Sequence, residues 1–179
     1  MGEIKYVTLD NLLTLKDYID SKTAAINVQG AMKMTNTIKI QKLNPNATIP
    51  TRGSEEAAGY DLYACIDSPA CIPPHTTVKI GTGIALALPP STFGAIFARS
   101  GLATKEGLRP ANCVGVCDSD YRGEYIVAIH NDSDRDKYIW PNDRIAQLVV
   151  MPYVNFDFQE VQELNETERG AGGFGSTGQ

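Results

Sequence analysis

An all-β sandwich or jelly roll is the fold this chain predicts, and three observations predict it. From Thr37 onward apolar residues recur with period two. All ten prolines fall between Pro45 and Pro152, where they cut the pattern into short runs. There is no internal repeat and no alternation of strand-like with helix-like segments. In chain order, Ile38 and Ile40 alternate with Lys39 and Gln41, and Ile84, Leu86 and Leu88 alternate with Ala85 and Ala87. Tyr125, Val127 and Ile129 share a face of a third run, and Ile145, Gln147, Val149 and Met151 share a face of a fourth. The pairs Pro73-Pro74 and Pro89-Pro90 and the segment Pro141-Asn-Asp143 supply the turns.

The first 44 residues contain no proline and read differently. From Asp10, an N-cap residue type, Leu12, Leu15, Ile19 and Ile26 fall near one helical face, and Gly30 stops the helix. Met32-Lys-Met34-Thr-Asn follows and reads as a natural start of translation. The expected organisation is an appended, helical segment over residues 1–33, a β core over 34–165 and a flexible C-terminal arm over 166–179, entered through a polar linker at 155–168.

With 179 residues, 42% hydrophobic and 21% charged, the chain is long enough for one domain with a real core. A net charge of −5 with no basic run speaks against broad nucleic-acid binding and against anionic membranes. No stretch approaches the ~18 apolar residues of a membrane helix, and residues 1–15 lack the basic start and apolar run of a secretory leader. A cytoplasmic protein with Cys65, Cys71, Cys113 and Cys117 as free thiols is therefore expected. The cysteine spacings are not those of a zinc ribbon, and only His75 and His130 exist as further ligands of that kind.

Four internal segments carry candidate chemistry. Ala57-Ala-Gly-Tyr-Asp61-Leu-Tyr-Ala64 holds Asp61 between apolar neighbours, placed either to orient a metal-bound water or to tie down an arginine. Ala98-Arg99-Ser100-Gly101-Leu-Ala103 combines a guanidinium, a hydroxyl and a glycine amide, the parts of an oxyanion cradle. It is not a hydrolase elbow, which needs glycine two residues before the serine. Asn112-Cys-Val-Gly-Val116-Cys117-Asp118-Ser-Asp-Tyr121-Arg-Gly-Glu124 delivers a carboxylate from an apolar strand into a turn. That suits a general base, but the segment by itself reads first as a plain hairpin whose Asp residues hydrogen-bond the turn. In Asp143-Arg-Ile-Ala-Gln147-Leu148, Gln147 shares the face of Ile145 and Val149 and either caps a buried polar network or reaches a ligand.

The fifth segment closes the chain: Arg169-Gly-Ala-Gly-Gly-Phe174-Gly175-Ser176-Thr177-Gly-Gln179. Five of its eleven residues are glycine, so ordering it costs much entropy. Glycine amides and Arg169 suit phosphate oxygens, and Phe174 suits a flat base. The tail reads as a lid over a nucleotide, with a disordered linker as the alternative. It is no Walker loop, because Ser176 stands where Lys belongs.

Taken in order, AAGYDLYA, ARSGLA, NCVGVCDSDYRGE, DRIAQLVV and RGAGGFGSTG resemble the five motifs of the trimeric deoxyuridine triphosphatases (dUTPases), over about residues 36–179. The resemblance implies a distorted β jelly roll, assembled as a homotrimer with sites shared between subunits. It implies hydrolysis of dUTP to dUMP and pyrophosphate with Mg²⁺ as cofactor. Asp118 matches the carboxylate that activates the attacking water, and Tyr121 the ring against deoxyribose. Asn112, with the backbone at Val116, Cys117 and Asp118, matches the uracil-reading hairpin. Arg99, Ser100, Gly101 and Gln147 match the phosphate contacts. Arg169, Ser176 and Thr177 match the arm's hold on the γ-phosphate, Phe174 its stacking on uracil, and Gly175 is a further substrate-binding residue of the arm. Mg²⁺ would be held by the triphosphate and water, with no direct protein ligand and Asp61 at most in an outer shell. Cys117 departs from the pattern, standing where a branched aliphatic is commoner. The extension 1–33 has no counterpart in the minimal pattern and is a candidate surface for a protein partner.

Three rival readings have distinct signatures. A dCTP deaminase shares the fold but uses a Glu in the third motif, where Asp118 and Tyr121 match the hydrolase. A regulatory binding protein would use the nucleotide site and residues 1–33 as a switch. A purely structural jelly roll leaves the Arg-Ser-Gly segment and the tail without a role.

Overall fold

The computed structural model describes residues 37–173. The helix expected within 1–33, the start at Met34, and Phe174, Gly175, Ser176 and Thr177 lie outside the described residues. Within them the chain forms twelve strands: β1 (Lys39–Lys42), β2 (Thr51–Arg52), β3 (Tyr60–Tyr63), β4 (Ala70–Ile72), β5 (Thr77–Gly81), β6 (Ile84–Ala87), β7 (Thr92–Phe97), β8 (Leu108–Pro110), β9 (Val114–Asp118), β10 (Ile126–Asn131), β11 (Lys137–Ile139) and β12 (Arg144–Pro152). One turn of π-helix, Leu102–Glu106, separates β7 from β8. The architecture is all-β, as the period-two runs predict.

Every pairing is antiparallel. A five-stranded sheet runs β2-β3-β12-β7-β9, and smaller sheets run β5-β10-β8, β1-β6 and β11-β4. Neighbours in these sheets are mostly distant in sequence, the non-local pairing of a jelly roll. The inner faces meet in one core that includes Leu62, Ile72, Ile80, Ile84, Leu108, Ile129, Ile139 and Ile145, all at most 2% exposed. Each such side chain is worth about 1.5–3 kcal/mol when buried.

β12 departs from its simple reading. The alternation places Ile145, Gln147, Val149 and Met151 on one face. The register with β3 instead shifts between Arg144 and Ala146. Ile145 is buried, but beyond the irregularity the core takes Ala146, Leu148 and part of Val150. Gln147 and Val149 are turned to a surface cleft. One extra residue in a strand exchanges its two faces, and hydrophobic alternation alone carries no mark of it.

The buried side chains of Thr82, Thr92 and Asn131 are satisfied within the fold. Thr82 Oγ1 donates to the Tyr125 carbonyl at 2.5 Å, Thr92 Oγ1 to Pro89 O at 2.7 Å, and Asn131 Nδ2 to Ile72 O and Arg135 O at 2.8 Å. All four cysteines are free thiols. β12 ends at Pro152, and residues 153–171 are exposed throughout. That stretch is less polar than a linker reading suggests: Val154, Phe156, Phe158 and Leu164 all stand open to solvent. Among the described residues no helix is long and apolar enough to cross a membrane.

Candidate active site

β9 forms one edge of the five-stranded sheet and carries the third motif. Ahead of it Cys113 takes a left-handed conformation (φ 61°), with its amide donating to Pro110 O at 3.2 Å, so the chain turns sharply at Asn112. Past Asp118 the strand gives way to a turn closed by Tyr121 N to Asp118 O at 3.2 Å. Arg122 Nη1 pins that turn through the carbonyls of Ser119 (2.7 Å) and Tyr121 (2.9 Å). Tyr121 folds back over Gly123, where a Cβ would strike its ring, and its hydroxyl donates to the Glu124 carbonyl at 3.1 Å.

These turns open a cleft of about 280 Å³ lined by Asn112, Val116, Cys117, Asp118, Tyr121 and Tyr125, among others. Asp118 is exposed and, among the described residues, enters no ion pair. A carboxylate not neutralised by a cation is free to accept a proton. Beneath it, burial first, and the neighbouring Asp118 charge after it, push the Cys117 thiol up, while the Tyr125 hydroxyl acts the other way. That thiol is held in its inert, protonated form. The Tyr125 phenol is also pushed up, chiefly by burial.

A second cleft of about 420 Å³ opens over β3 and β12. Its charge comes from one triad. Asp61 accepts Arg99 Nε on Oδ1 at 2.8 Å and Arg144 Nη1 on Oδ2 at 3.1 Å, with its side chain only 13% exposed. Arg99 Nη1 also reaches Arg144 O at 3.3 Å. Asp61 thus ties down two arginines, one of the two roles its segment allows. Gln147 Nε2 donates to Ala98 O at 2.8 Å and so holds the strand end from which Arg99 springs. A Cβ at Gly59 would lie 2.7 Å from Gln147 Oε1, so a larger residue there would push the Gln147 side chain aside. Gly101 has nothing within 4 Å of where its Cβ would be, so its backbone can be approached closely.

The structure thus brings the expected residues together in two groups. Asn112, Val116, Cys117, Asp118 and Tyr121 share the hairpin cleft, and Asp61, Arg99, Ser100, Gly101 and Gln147 share the other. No residue lines both. In register, Asp118 sits opposite Phe93 at the start of β7, and Arg99 follows its end at Phe97. Six residues of extended chain span on the order of 20 Å. Arg169 belongs to neither group; its Nε donates to Gly172 O at 2.9 Å within the exposed tail. Sequence reasoning missed Arg144, Glu124 and Tyr125. Arg144 had a signal, a cation beginning the DRIAQ segment, whereas Glu124 and Tyr125 become site residues only through the folding back of Tyr121.

Comparison with known proteins gives this geometry a context. The family model described as dUTPase matches residues 45–178. The deoxyuridine 5'-triphosphate nucleotidohydrolase of Candida albicans is 45% identical over 149 residues, covering 82% of this chain and 91% of that one. The enzyme of the same name from Syntrophotalea carbinolica is 45% identical over 144 residues, covering 80% and 98%. The chain belongs to the dUTPase family. Among solved dUTPases, a variant of the Staphylococcus bacteriophage 80alpha protein with dUpNHpp superposes with a TM-score of 0.72 at 27% identity, covering 80% of this chain and 99% of that one. The fold is the dUTPase jelly roll, and all five motif segments, from Ala57 to Gly178, lie inside the matched range.

Proposed function

We infer that this chain hydrolyses dUTP to dUMP and pyrophosphate, by attack of water at the α-phosphorus, so limiting uracil in DNA and supplying dUMP. The observation that carries the mechanism is the division of the site into two clefts. A general base acts through contacts of ~3 Å, directly or through one water. One chain keeps Asp118 and Arg99 on the order of 20 Å apart along β7, so a single triphosphate cannot meet both on the same subunit. Two subunits can complete the site between them, with the hairpin cleft of one facing the arginine cleft of its neighbour. A homotrimer provides three such junctions, and its arms, residues 166–179, close over them. The exposed Val154, Phe156 and Phe158 leading into the arm support such an assembly, since a run of open apolar side chains marks a contact surface.

In this site Asp118 takes a proton from the attacking water. β9, as an edge strand, offers unpaired backbone groups beside Asn112 to the edge of uracil, and Tyr121 packs on deoxyribose where a 2′-hydroxyl would collide. Arg99, Ser100, the Gly101 backbone and Gln147 face the phosphates, where a cation pre-set by Asp61 needs little reorganisation as charge develops. Arg169, Gly175, Ser176 and Thr177 hold the γ-phosphate, and Phe174 stacks on uracil. Mg²⁺ fits this donor set as a substrate-borne ion. Both Asp61 oxygens are taken by arginines, and among the described residues no cluster of three His, Cys, Asp or Glu could cage a metal. When bound, Mg²⁺ neutralises triphosphate charge while triphosphate oxygens and waters coordinate it. The four free thiols suit the cytosol. Residues 1–33 are a partner-binding extension, to be tested by pull-down against a chain starting at Met34.

Pyrophosphate release from dUTP, dTTP, dCTP and UTP, measured side by side, tests the activity, and dUTP is expected to dominate. Ammonia release from dCTP would point to the deaminase instead. Complementation tests the shared site. Asp118→Asn and Arg99→Ala chains, each inactive alone, are unfolded together and refolded. Mixed trimers contain junctions with both residues intact and regain part of the activity. No recovery, with mixed trimers shown to form, would place the whole site on one chain.

A further inference from the structure

We propose that Glu124 is a positioning residue that sets the Tyr121 ring and, through it, the discrimination between deoxyribose and ribose; this rests on the dUTPase reading above. Tyr121 has few restraints of its own, being 44% exposed and beyond the end of β9. Its hydroxyl is anchored on the Glu124 carbonyl at 3.1 Å, and its ring leans on the buried Tyr125 ring, centroids 6.1 Å apart at 47°. Whatever holds residues 124 and 125 therefore holds the ring.

Three bonds hold them, two to the turn between β5 and β6 and one to Ile84, the first residue of β6. Gly83 N donates to Glu124 Oε1 at 2.7 Å, Thr82 Oγ1 to Tyr125 O at 2.5 Å, and Tyr125 N to Ile84 O at 2.9 Å. The turn is shaped for this clasp. Gly83 adopts φ +66°, and a Cβ there would lie 2.8 Å from Cys65 Sγ and 2.9 Å from Ala47 Cβ. A Cβ at Gly81 would lie 2.6 Å from Glu124 Oε1. The bonds from the β5–β6 turn reach the Tyr121 ring through the Glu124–Tyr125 step. Exclusion of a 2′-hydroxyl is a steric test, and a steric test is only as sharp as its wall is fixed. The Glu124 carboxylate is the part of the clasp that substitution can remove without touching Tyr121 or the backbone.

Steady-state kinetics with dUTP and UTP test this, using Glu124→Ala, Glu124→Gln and Thr82→Val. Losing one charge-assisted bond should raise KM for dUTP about five- to tenfold, with a smaller change in kcat. It should also narrow the dUTP-to-UTP ratio of kcat/KM by a similar factor. Glu124→Gln keeps an acceptor oxygen and recovers most of the ratio, and Thr82→Val, which opens the other side of the clasp, narrows it again. Should Glu124→Ala fail to fold, Thr82→Val decides alone. A wild-type ratio in a folded Glu124→Ala chain overturns the inference, as does a Gln variant no better than Ala. If the wild-type chain releases no pyrophosphate from dUTP, the reading beneath fails instead.

Discussion

The two clefts place charge in opposite ways. Over β3 and β12 the arginines are secured in advance, since Asp61 grips both Arg99 and Arg144 from a nearly buried position on interior strands. At the hairpin the charge is left open. Asp118 sits at the end of an edge strand, exposed and free of cations among the described residues. The difference follows the chemistry. Groups that stabilise charge work best when fixed beforehand, whereas a proton acceptor works only if no neighbour has neutralised it.

The hardest break falls on the open half. Asp118→Asn keeps the shape but removes the base, and kcat should drop about a thousandfold. Calorimetric binding of a non-hydrolysable dUTP analogue should change little. If the analogue no longer binds, Asp118 serves affinity rather than proton transfer.

Next comes the arm, whose described residues, 169–173, line neither cleft. Deleting residues 169–179 should lower kcat/KM about a hundredfold by leaving the site open to bulk water. The melting temperature should stay within about 2 °C, because residues 169–171 bury nothing in the free chain. A large fall in melting temperature would mean that the arm is a structural strap of the trimer.

A moderate effect is expected at the prepared half. Asp61→Asn leaves two guanidinium groups facing each other with no anion. With Arg144 51% exposed, water offsets much of that, so stability should fall by about 1–2 kcal/mol rather than the full cost of a broken buried pair. KM for dUTP should rise about tenfold as Arg99 loses its direction, and urea melts beside kinetics separate the two effects.

How much of this was legible in the sequence varies between the halves for physical reasons. The hairpin shows its parts, because a strand, a turn and a strand are contiguous, but its chemistry stands open between a general base and a plain turn until the resemblance to the dUTPase motifs is added. Asn112, Asp118 and Tyr121, given their roles by the resemblance to the dUTPase motifs, line one cleft. The arginine cleft depends on pairings between segments far apart in the chain, such as Asp61 opposite Gln147. Residue types hinted at it, yet nothing local identified Arg144 as a second partner of Asp61. The faces of β12 were misread for a related reason: the irregularity at Arg144–Ala146 arises from pairing with β3, not from β12's own residues. That the clefts share no residue follows from β7's length and register, which hydrophobic alternation does not encode.

The smallest effect tests whether the open half is open all the way down. Tyr125 is 1% exposed, and its hydroxyl has no hydrogen-bond partner among the described residues, although the Cys117 thiol lies beside it. A satisfied buried hydroxyl contributes about 0.5–1.5 kcal/mol, so its removal destabilises; an unsatisfied one costs energy where it stands. Tyr125→Phe keeps the ring under Tyr121 and deletes only that oxygen. Stability in urea should therefore be unchanged or higher by up to about 1 kcal/mol. A loss of more than about 1 kcal/mol would show that the assembled protein gives this hydroxyl a partner, by rotation of Cys117 or from a neighbouring subunit. The hairpin would then be as fully braced as the arginine cleft, and the contrast between the halves would narrow to the single free carboxylate of Asp118.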